Sequence, residues 1–350
     1  MNNLSVKDRV CDYGALLSAM RKCKRNVMWK DSVAGWAKNS LINCFLLKDE
    51  LYNGKYEIGK YSVFEITEPK KRTIVSTRFK DRVFQRSLCD NYLTKALSKS
   101  FIYDSGACQE NKGTDFARRR LKAHFQKFFR KHGLSGYVLK CDIKNYFGST
   151  PHQVAIDAVS KRLDDQWAIG EVARIINSFT QGPGPNVGLG LGSQVTQLIE
   201  LTVLDRLDHI IKERLHIKHY VRYMDDFVLI HEDKAHLQLC KEVITDELGK
   251  LGLRLSKKKT MICQLRQPLH FLGFSYRLTE SGKVVMKVLP KKLTRERRRL
   301  RKQVALCKAG IMTRQQVDDC FRSWTAHADK GNSYKLIKAM TEYYNKLWEE

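Results

Sequence analysis

The stretch His219-Tyr-Val-Arg-Tyr-Met-Asp-Asp-Phe-Val-Leu-Ile230 decides the fold. Apolar residues flank its two acids, and they predict a β-hairpin that carries Asp225 and Asp226 at its turn. An Asp-Asp pair in a turn is more often simply solvated, because aspartate favours turns. Here the arms contain Val221 before the acids and Phe227 after them, so both strands would be buried. Two carboxylates at the tip of a buried hairpin favour a metal site.

A third acid follows another short strand. The segment Gly136-Tyr-Val-Leu-Lys-Cys-Asp142 predicts a strand that ends at Asp142. Nucleotidyl transfer needs two Mg²⁺ ions about 3.5–4 Å apart, one on the attacking 3′ oxygen and one on the leaving phosphate. Mg²⁺ prefers hard oxygen ligands and keeps several waters, so a few carboxylates suffice. The sequence therefore predicts that Asp142, Asp225 and Asp226 bind two Mg²⁺ ions, for which Mn²⁺ could substitute.

Around these acids, short strands and longer helices alternate along the chain. A hairpin is predicted from Phe64 to Thr77, and a single strand over Phe271–Tyr276. Helices are predicted over Phe79–Ala96, Phe116–Lys131, Gln194–Arg214 and Ala235–Leu251, and from Pro290 to the end. This order predicts an α+β fold, with a sheet flanked by helices.

The composition favours a polyanionic partner. The 350 residues include 64 Lys+Arg against 37 Asp+Glu, a net charge of +27, while 43% of the residues are hydrophobic. This excess predicts nucleic acid as the first candidate partner and an anionic membrane as the second. A membrane surface is less favoured because the charges are spread along the chain. Ten scattered cysteines, no signal-peptide core and no long apolar run predict a cytoplasmic protein with free thiols and no membrane partner.

Six motifs in order then resemble those of reverse transcriptases. Tyr223-Met-Asp-Asp226 resembles the Y-x-D-D signature, and Asp142-Ile-Lys-Asn-Tyr-Phe147 is similar to the first catalytic motif. The other four are Lys71-Arg72, Leu191-Gly-Ser-Gln-Val-Thr-Gln197, Leu251-Gly-Leu-Arg-Leu-Ser-Lys-Lys-Lys-Thr260 and Phe271-Leu-Gly-Phe274. The resemblance implies a right-hand polymerase fold with an antiparallel-sheet palm, fingers and a helical thumb. It places the N-terminal region and fingers at 1–135, the palm at 136–278 with a fingers-like insertion around 175–195, and a basic thumb at 279–350.

The resemblance also implies roles for individual residues. The Ile143 carbonyl would join the three acids at the metals, Lys259 would protonate pyrophosphate, and Phe147 would exclude a ribose 2′-OH. Alternatively, Phe147 is an ordinary core aromatic and Arg72 a surface arginine. Nucleotide contacts are expected at Arg72, Phe147, Leu191, Gly192 and Gln197, and a primer grip at Phe271, Leu272 and Gly273. Nucleic-acid contacts are expected at Arg118, Arg119, Lys291, Lys292, Arg295 and Arg298, some of which could instead form a solvated helix face.

The enzyme would bind template RNA, nascent cDNA and dNTPs. Leu191 and Gln197 stand where many relatives have Gln and Pro, and this pattern resembles the enzymes of diversity-generating retroelements. Those enzymes copy a template RNA with errors at adenines, work with a small basic accessory protein and drive mutagenic retrohoming. The residues after Phe274 would fit a thumb and leave no room for an RNase H domain. Two alternatives stay open: a bacterial reverse transcriptase used in antiviral defence, and a non-catalytic RNA-binding scaffold.

Overall fold

The computed structural model of the chain describes residues 4–67, 72–180, 182–190 and 192–349. Two units are distinguished by their internal contacts. The first consists of Met1–Ala117, Leu139–Leu229 and Gln238–Met261, and the second of Arg118–Val138, Ile230–Leu237 and Ile262–Glu350. No helix within the described ranges is both long enough and apolar enough to cross a membrane.

The first unit begins with four helices, each of which has a local reason for its start or its packing. They are α1 (Val6–Cys11), α2 (Tyr13–Cys23), α3 (Asp31–Lys38) and α4 (Ser40–Tyr52). Ser5 and Asp8 form a capping box at the start of α1, and the Asp12 carboxylate accepts from the Ala15 N–H at the start of α2. Val10, Leu16 and Leu47 are buried, so these helices contribute to the core of the unit.

The predicted early hairpin is confirmed in its two strands, β1 (Ser62–Ile66) and β2 (Arg72–Ser76), which pair antiparallel with Phe64 opposite Ile74. The predicted turn at 68–71 lies outside the described residues. The predicted helix that follows is also confirmed, with one local difference: α5 (Phe79–Leu88) widens into a π-helical turn, Cys89–Leu93, before α6 (Thr94–Ser98). The basic helix α7 spans Thr114–His132.

A four-stranded sheet carries the predicted acids. Its strands are β3 (Tyr137–Asp142), β4 (His219–Tyr223), β5 (Asp226–His231) and β6 (Met261–Gln264), in the order β4-β5-β3-β6. The residues Phe227, Val228, Leu229 and Ile230 of β5 are all buried, as expected for an inner strand covered on both faces.

The helices between these strands are α8 (Tyr146–Ser149), α9 (His152–Ser160), α10 (Gln166–Asn177), α11 (Gln194–Val203), α12 (Asp205–His209) and α13 (Lys234–Lys250). The prediction of one helix over Gln194–Arg214 was wrong in detail. The helix breaks at Leu204, where ψ is −4°, and ends in a π-helical segment, Ile210–Arg214. Leu204 is fully buried, so the interruption lies in the core, where the apolar periodicity of the sequence continues without a break.

The second unit ends with an antiparallel three-stranded sheet, β7 (Leu269–Phe271), β8 (Phe274–Leu278) and β9 (Val284–Val288), and three helices, α14 (Pro290–Lys308), α15 (Arg314–Ala328) and α16 (Tyr334–Glu349). The helical C-terminal region is confirmed. The single strand expected over Phe271–Tyr276 was wrong, because Leu272 and Gly273 turn the chain between β7 and β8 with φ of 44° and 86°. The α+β class with antiparallel sheets is confirmed.

Candidate active site

The predicted hairpin is confirmed as β4–β5; Asp225 lies in its turn, and Asp226 is the first residue of β5. Its arms are anchored in the core, since Tyr220, Val221 and Phe227 are at most 1% exposed. Met224 adopts the left-handed conformation with φ of 55°, which non-glycine residues seldom adopt. The turn that joins the two strands is therefore tight.

Asp142 ends β3, which lies beside β5 in the sheet. The next residue, Ile143, donates its backbone N–H to the Asp225 carbonyl over 3.2 Å. On the other side the Asp142 carbonyl accepts from the Ser256 N–H at 2.7 Å, and Ile143 forms a bridge with Leu255. Backbone hydrogen bonds thus bring the segment after β3 against the hairpin turn.

The charges of these acids oppose one another. Burial, joined by the negative charges of Asp142 and Asp225, raises the pKa of Asp226 to about 7, although Lys140 Nζ lies 3.6 Å from its Oδ1 and lowers the pKa. Hard carboxylate oxygens at a buried edge favour a cation among them. Within the described ranges, however, no three Asp, Glu, His or Cys side chains are gathered closely enough to hold a metal ion. The donor chemistry fits a divalent cation, whereas the carboxylates are not drawn together around one point.

Lys259 contacts the first acid directly. Its Nζ donates to Asp142 Oδ1 at 2.9 Å and to Oδ2 at 2.7 Å. The lysine side chain is 59% exposed, while the aspartate side chain is 10% exposed. An exposed ammonium group therefore compensates the charge of a nearly buried carboxylate, and it can leave that carboxylate at little cost in desolvation.

These residues line a cleft of about 750 Å³ in the first unit. Asp142, Asp225, Lys259 and Phe147 lie along it, and Thr73 and Val75 of β2 contribute to its lining. Phe147 is held from its backbone, because its carbonyl accepts from the Leu189 N–H at 2.6 Å. Phe147 thus lines the same cleft as Asp142 and Asp225, with its backbone fixed by Leu189.

Other predicted nucleotide contacts are placed differently. Gly192 is exposed with φ of 114°, and Gln197 accepts a hydrogen bond from the Cys108 thiol, with 3.2 Å between Sγ and Oε1. Neither belongs to the described lining of the cleft. Leu191 and the side chain of Arg72 lie outside the described residues.

In the second unit, predicted nucleic-acid contacts lie together at the turn between β7 and β8. Arg118 Nη2 donates to the Leu272 carbonyl at 2.9 Å, and its guanidinium lies 4.8 Å from the centre of the Phe274 ring. A Cβ on Gly273 would collide with Lys292 Nζ. Burial lowers the pKa of Lys292, and the charges of Arg118 and Arg295 lower it further. Arg119, Lys291, Arg295 and Arg298 are exposed.

Three polar residues of the first unit were not singled out from the sequence. Lys140 lies two positions before Asp142 in β3, so strand alternation places both on one face. Glu200 interrupts the buried run of α11, and Arg222 interrupts the apolar pattern of β4; both are fully buried. A charged residue inside an otherwise apolar element is the signal that could have found the last two.

Comparison with known proteins identifies a family for the part of the chain that contains these residues. A model of the reverse transcriptase (RNA-dependent DNA polymerase) family matches residues 60–276. The group II intron-encoded protein LtrA of Lactococcus lactis subsp. cremoris is 39% identical over 67 residues, which are 19% of this chain and 11% of that protein. Protein YkfC of Escherichia coli (strain K12) is 23% identical, over 65% of this chain and 69% of that protein.

Among solved structures, apo telomerase from Candida tropicalis matches with a TM-score of 0.48 and 14% identity, covering 66% of this chain and 49% of that one. The chain thus spans about a tenth of LtrA and about half of the telomerase chain. The family match includes the early hairpin, all three acids, Lys259 and the turn between β7 and β8. With 217 of its 350 residues inside that match, the chain belongs to the reverse transcriptase family.

Proposed function

We propose that the chain is an RNA-directed DNA polymerase, which copies a template RNA into cDNA by two-metal nucleotidyl transfer. The observation that carries this proposal is the junction of β3 with the hairpin turn, where Ile143 N–H bonds to the Asp225 carbonyl. That junction brings the only acid of β3 beside the two acids of the turn, at a cleft that is large enough for a nucleotide.

Reverse transcriptases generally use divalent metal ions, and we assign Mg²⁺ here, with Mn²⁺ as a substitute. Asp142, Asp225 and Asp226 would hold two ions, with the Ile143 carbonyl as a further ligand. When bound, the ions supply positive charge at the attacking 3′ oxygen and at the leaving phosphate. In this structure the Lys259 ammonium group donates hydrogen bonds to the Asp142 carboxylate. Displaced from it, its ammonium is free to give a proton to the departing pyrophosphate.

Phe147 is the proposed sugar gate. Its half-buried ring lies on the cleft lining with its backbone fixed by Leu189. A ribose carries a 2′-OH that a deoxyribose lacks. A fixed aromatic ring beneath the sugar discriminates by shape, so we assign dNTPs as substrates. Arg72, Leu191, Gly192 and Gln197 complete the proposed nucleotide contacts.

The basic residues of the second unit are the proposed contacts to nucleic-acid phosphates. Arg118 and Lys292 meet at the Leu272–Gly273 turn, which with Phe271 forms the proposed primer grip. Four further basic side chains are exposed and can reach the phosphates of a nucleic acid: Arg119, Lys291, Arg295 and Arg298. We propose that the N-terminal region and fingers span 1–135, the palm 136–278 with a fingers-like insertion around 175–195, and the thumb 279–350.

Primer extension tests the proposal. A DNA primer on an RNA template is incubated with the chain, the four dNTPs and Mg²⁺, and product length is measured. Asp225→Asn and Asp226→Asn should each reduce the rate by about 1,000-fold or more. Asp246→Asn is the control, because this aspartate is 67% exposed in a surface pair with Lys250. Normal extension by either the Asp225→Asn or the Asp226→Asn variant would refute the proposal, and no extension by the wild-type chain would favour an RNA-binding scaffold.

Within this function we propose an error-prone enzyme of the diversity-generating type, as the resemblance at Leu191 and Gln197 supports. An aliphatic residue cannot hydrogen-bond a sugar or base, so discrimination would depend on shape alone. Sequencing of the cDNA tests this: misincorporation concentrated opposite template adenine is expected. A uniform, low error rate would count against this subtype, and the absence of a template/variable repeat pair beside the gene would favour a role in antiviral defence.

The proposed partners follow from the same resemblance. They are template RNA, nascent cDNA, dNTPs and a small basic accessory protein, which affinity purification from the native host would identify. A cytoplasmic location is supported by the ten cysteines, all of which are free thiols. Fractionation of host cells tests that location.

A further inference from the structure

A buried ion pair lies next to the hairpin turn between β4 and β5. Arg222 and Asp208 are both fully buried in the first unit. Arg222 Nε donates to Asp208 Oδ1 at 2.7 Å and to Oδ2 at 3.0 Å, and the Tyr220 hydroxyl donates to Oδ1 at 2.6 Å. Asp208 belongs to α12, so the carboxylate that holds the guanidinium is itself fixed in a helix of the core.

The same guanidinium reaches the hairpin turn. Arg222 Nη1 donates to the Met224 carbonyl over 3.2 Å. Met224 is the residue with the left-handed backbone, and its carbonyl belongs to the peptide group that enters Asp225. An arginine suits this arrangement, because its planar fork offers several donors in fixed directions.

The Asp225 backbone is thereby held from both sides. The peptide group before it accepts from Arg222, and its own carbonyl accepts from the Ile143 N–H at 3.2 Å. Backbone bonds also fix Arg222 itself, since its N–H donates to the Asp104 carbonyl at 3.1 Å and its carbonyl accepts from the Gly106 N–H at 2.9 Å. Two fixed peptide planes set the direction in which the Cα–Cβ bond of Asp225 points.

We propose that Arg222, held by Asp208, is a positioning residue that fixes the peptide between Met224 and Asp225 and so directs the Asp225 carboxylate toward the metal ions. This inference rests on the proposed polymerase function. Stability alone would not require the pair, because well-packed apolar residues often replace a buried ion pair without loss. What apolar residues cannot supply is the hydrogen bond to the Met224 carbonyl.

The decisive variant therefore replaces the pair together. Arg222→Met combined with Asp208→Leu removes both charges and leaves no unpaired carboxylate, whereas either change alone can unfold the chain. Arg222→Lys keeps the charge near Asp208 but loses the fork. Arg162→Met is the matched control, because Arg162 also pairs with a buried aspartate of α12, Asp205, at 2.6 Å.

Three readouts separate positioning from folding: thermal unfolding, the kcat and KM for single dNTP additions, and Mn²⁺ binding measured by electron paramagnetic resonance. For the folded double variant we expect kcat to fall about 10- to 100-fold, the Mn²⁺ Kd to rise about 10-fold, and KM to change little. Arg162→Met should lower the unfolding temperature and leave kcat and the Mn²⁺ Kd unchanged.

A folded double variant with wild-type kcat and wild-type Mn²⁺ affinity overturns the inference. If the double variant does not fold, Arg222→Lys decides: an unchanged kcat overturns the inference, and a reduced kcat with unchanged KM supports it. A wild-type chain that binds Mn²⁺ but extends no primer contradicts the polymerase proposal, and Mn²⁺ affinity then decides the inference by itself. A wild-type chain that neither extends a primer nor binds Mn²⁺ overturns both.

Discussion

Replacing Glu200 with glutamine is expected to stabilise the chain by an amount that grows between pH 4.5 and about pH 8. Glu200 is fully buried in α11, and the oxygen of the Thr150 hydroxyl lies 3.0 and 3.2 Å from its two carboxylate oxygens. The Tyr146 hydroxyl lies beside the same carboxyl group and, like Thr150, lowers its pKa through a hydrogen bond. Burial, with a further contribution from Asp225, raises the pKa of Glu200 from 4.5 to about 8. The pKa of Tyr146, the other group nearby, lies well above its ordinary value, so it stays neutral over this range.

The distances around Glu200 are compatible with a protonated carboxyl group. The Thr150 hydroxyl oxygen also lies 3.0 Å from the Tyr146 carbonyl, yet it has one hydrogen to donate. If that hydrogen goes to the carbonyl, the Glu200 carboxyl must donate to the hydroxyl. Glutamine keeps a hydrogen-bond donor and an acceptor at this position, and its amide does not ionise.

The magnitude follows from linkage. The unfolded chain releases the Glu200 proton near pH 4.5, whereas the folded chain keeps it to about pH 8. The free energy of unfolding is therefore unaffected by Glu200 ionisation below pH 4.5. As the pH rises from 4.5 to about 8, it falls by about 1.4 kcal/mol for each pH unit. The loss amounts to about 3 kcal/mol at pH 7 and about 5 kcal/mol above pH 8, a large part of a typical total of about 5–15 kcal/mol.

Urea unfolding of the wild-type and Glu200→Gln chains at pH 5, 6, 7 and 8 measures the difference. We expect the free energy of unfolding of the variant to exceed that of the wild type by a margin that widens with pH. Ile199→Val is the control: it trims a buried, non-titrating neighbour and should cost about 1 kcal/mol at every pH. A margin that stays constant or narrows as pH rises refutes a neutral Glu200.

Three further predictions concern the cleft and the second unit. Phe147→Ala should raise the ratio of rNTP to dNTP incorporation (as kcat/KM) about 10- to 100-fold, because the ring that excludes the 2′-OH is lost; an unchanged ratio would contradict a gate. Gly273→Ala should lower stability by about 1–2 kcal/mol in thermal unfolding, because its φ is 86° and its Cβ would meet Lys292; equal stability would mean that the turn can rearrange. Arg295→Glu with Arg298→Glu should weaken binding of an RNA–DNA duplex and lower the slope of log Kd against log salt by about 2; an unaltered slope would show that neither residue contacts a phosphate.

The sequence was informative where one segment contains its own signal. The hairpin with Asp225 and Asp226 could be predicted because the apolar arms and the acidic turn lie within twelve consecutive residues. Asp142 could be predicted because its strand immediately precedes it. In both cases the apolar residues next to the acids indicate that the strands are buried. That burial distinguishes these acids from the acids of an ordinary solvated turn.

Local patterns were less informative at turns and short strands. The segment Phe271–Tyr276 has the composition of one strand, but positive φ at Leu272 and Gly273 divides it. The strand β9 was not predicted, although Val284, Met286 and Val288 alternate into the core. The apolar Val285 stands between Val284 and Met286, so the segment lacks the strict alternation of apolar and polar residues that indicates a strand.

Pairings between distant residues could not be predicted, and they determine how the candidate site is held. The contact of Lys259 with Asp142, 117 positions earlier in the chain, was not predicted. Nothing in the composition of either segment specifies that contact, because several lysines follow one another and only the folded backbone selects one. The acids themselves could be proposed by inspection, since divalent cations prefer carboxylate oxygens as ligands. Other residues position the acids or compensate their charge, such as Arg222 and Lys140. Their identity depends only on the space and charge around them in the folded chain, so they can be recognised only once the backbone is known.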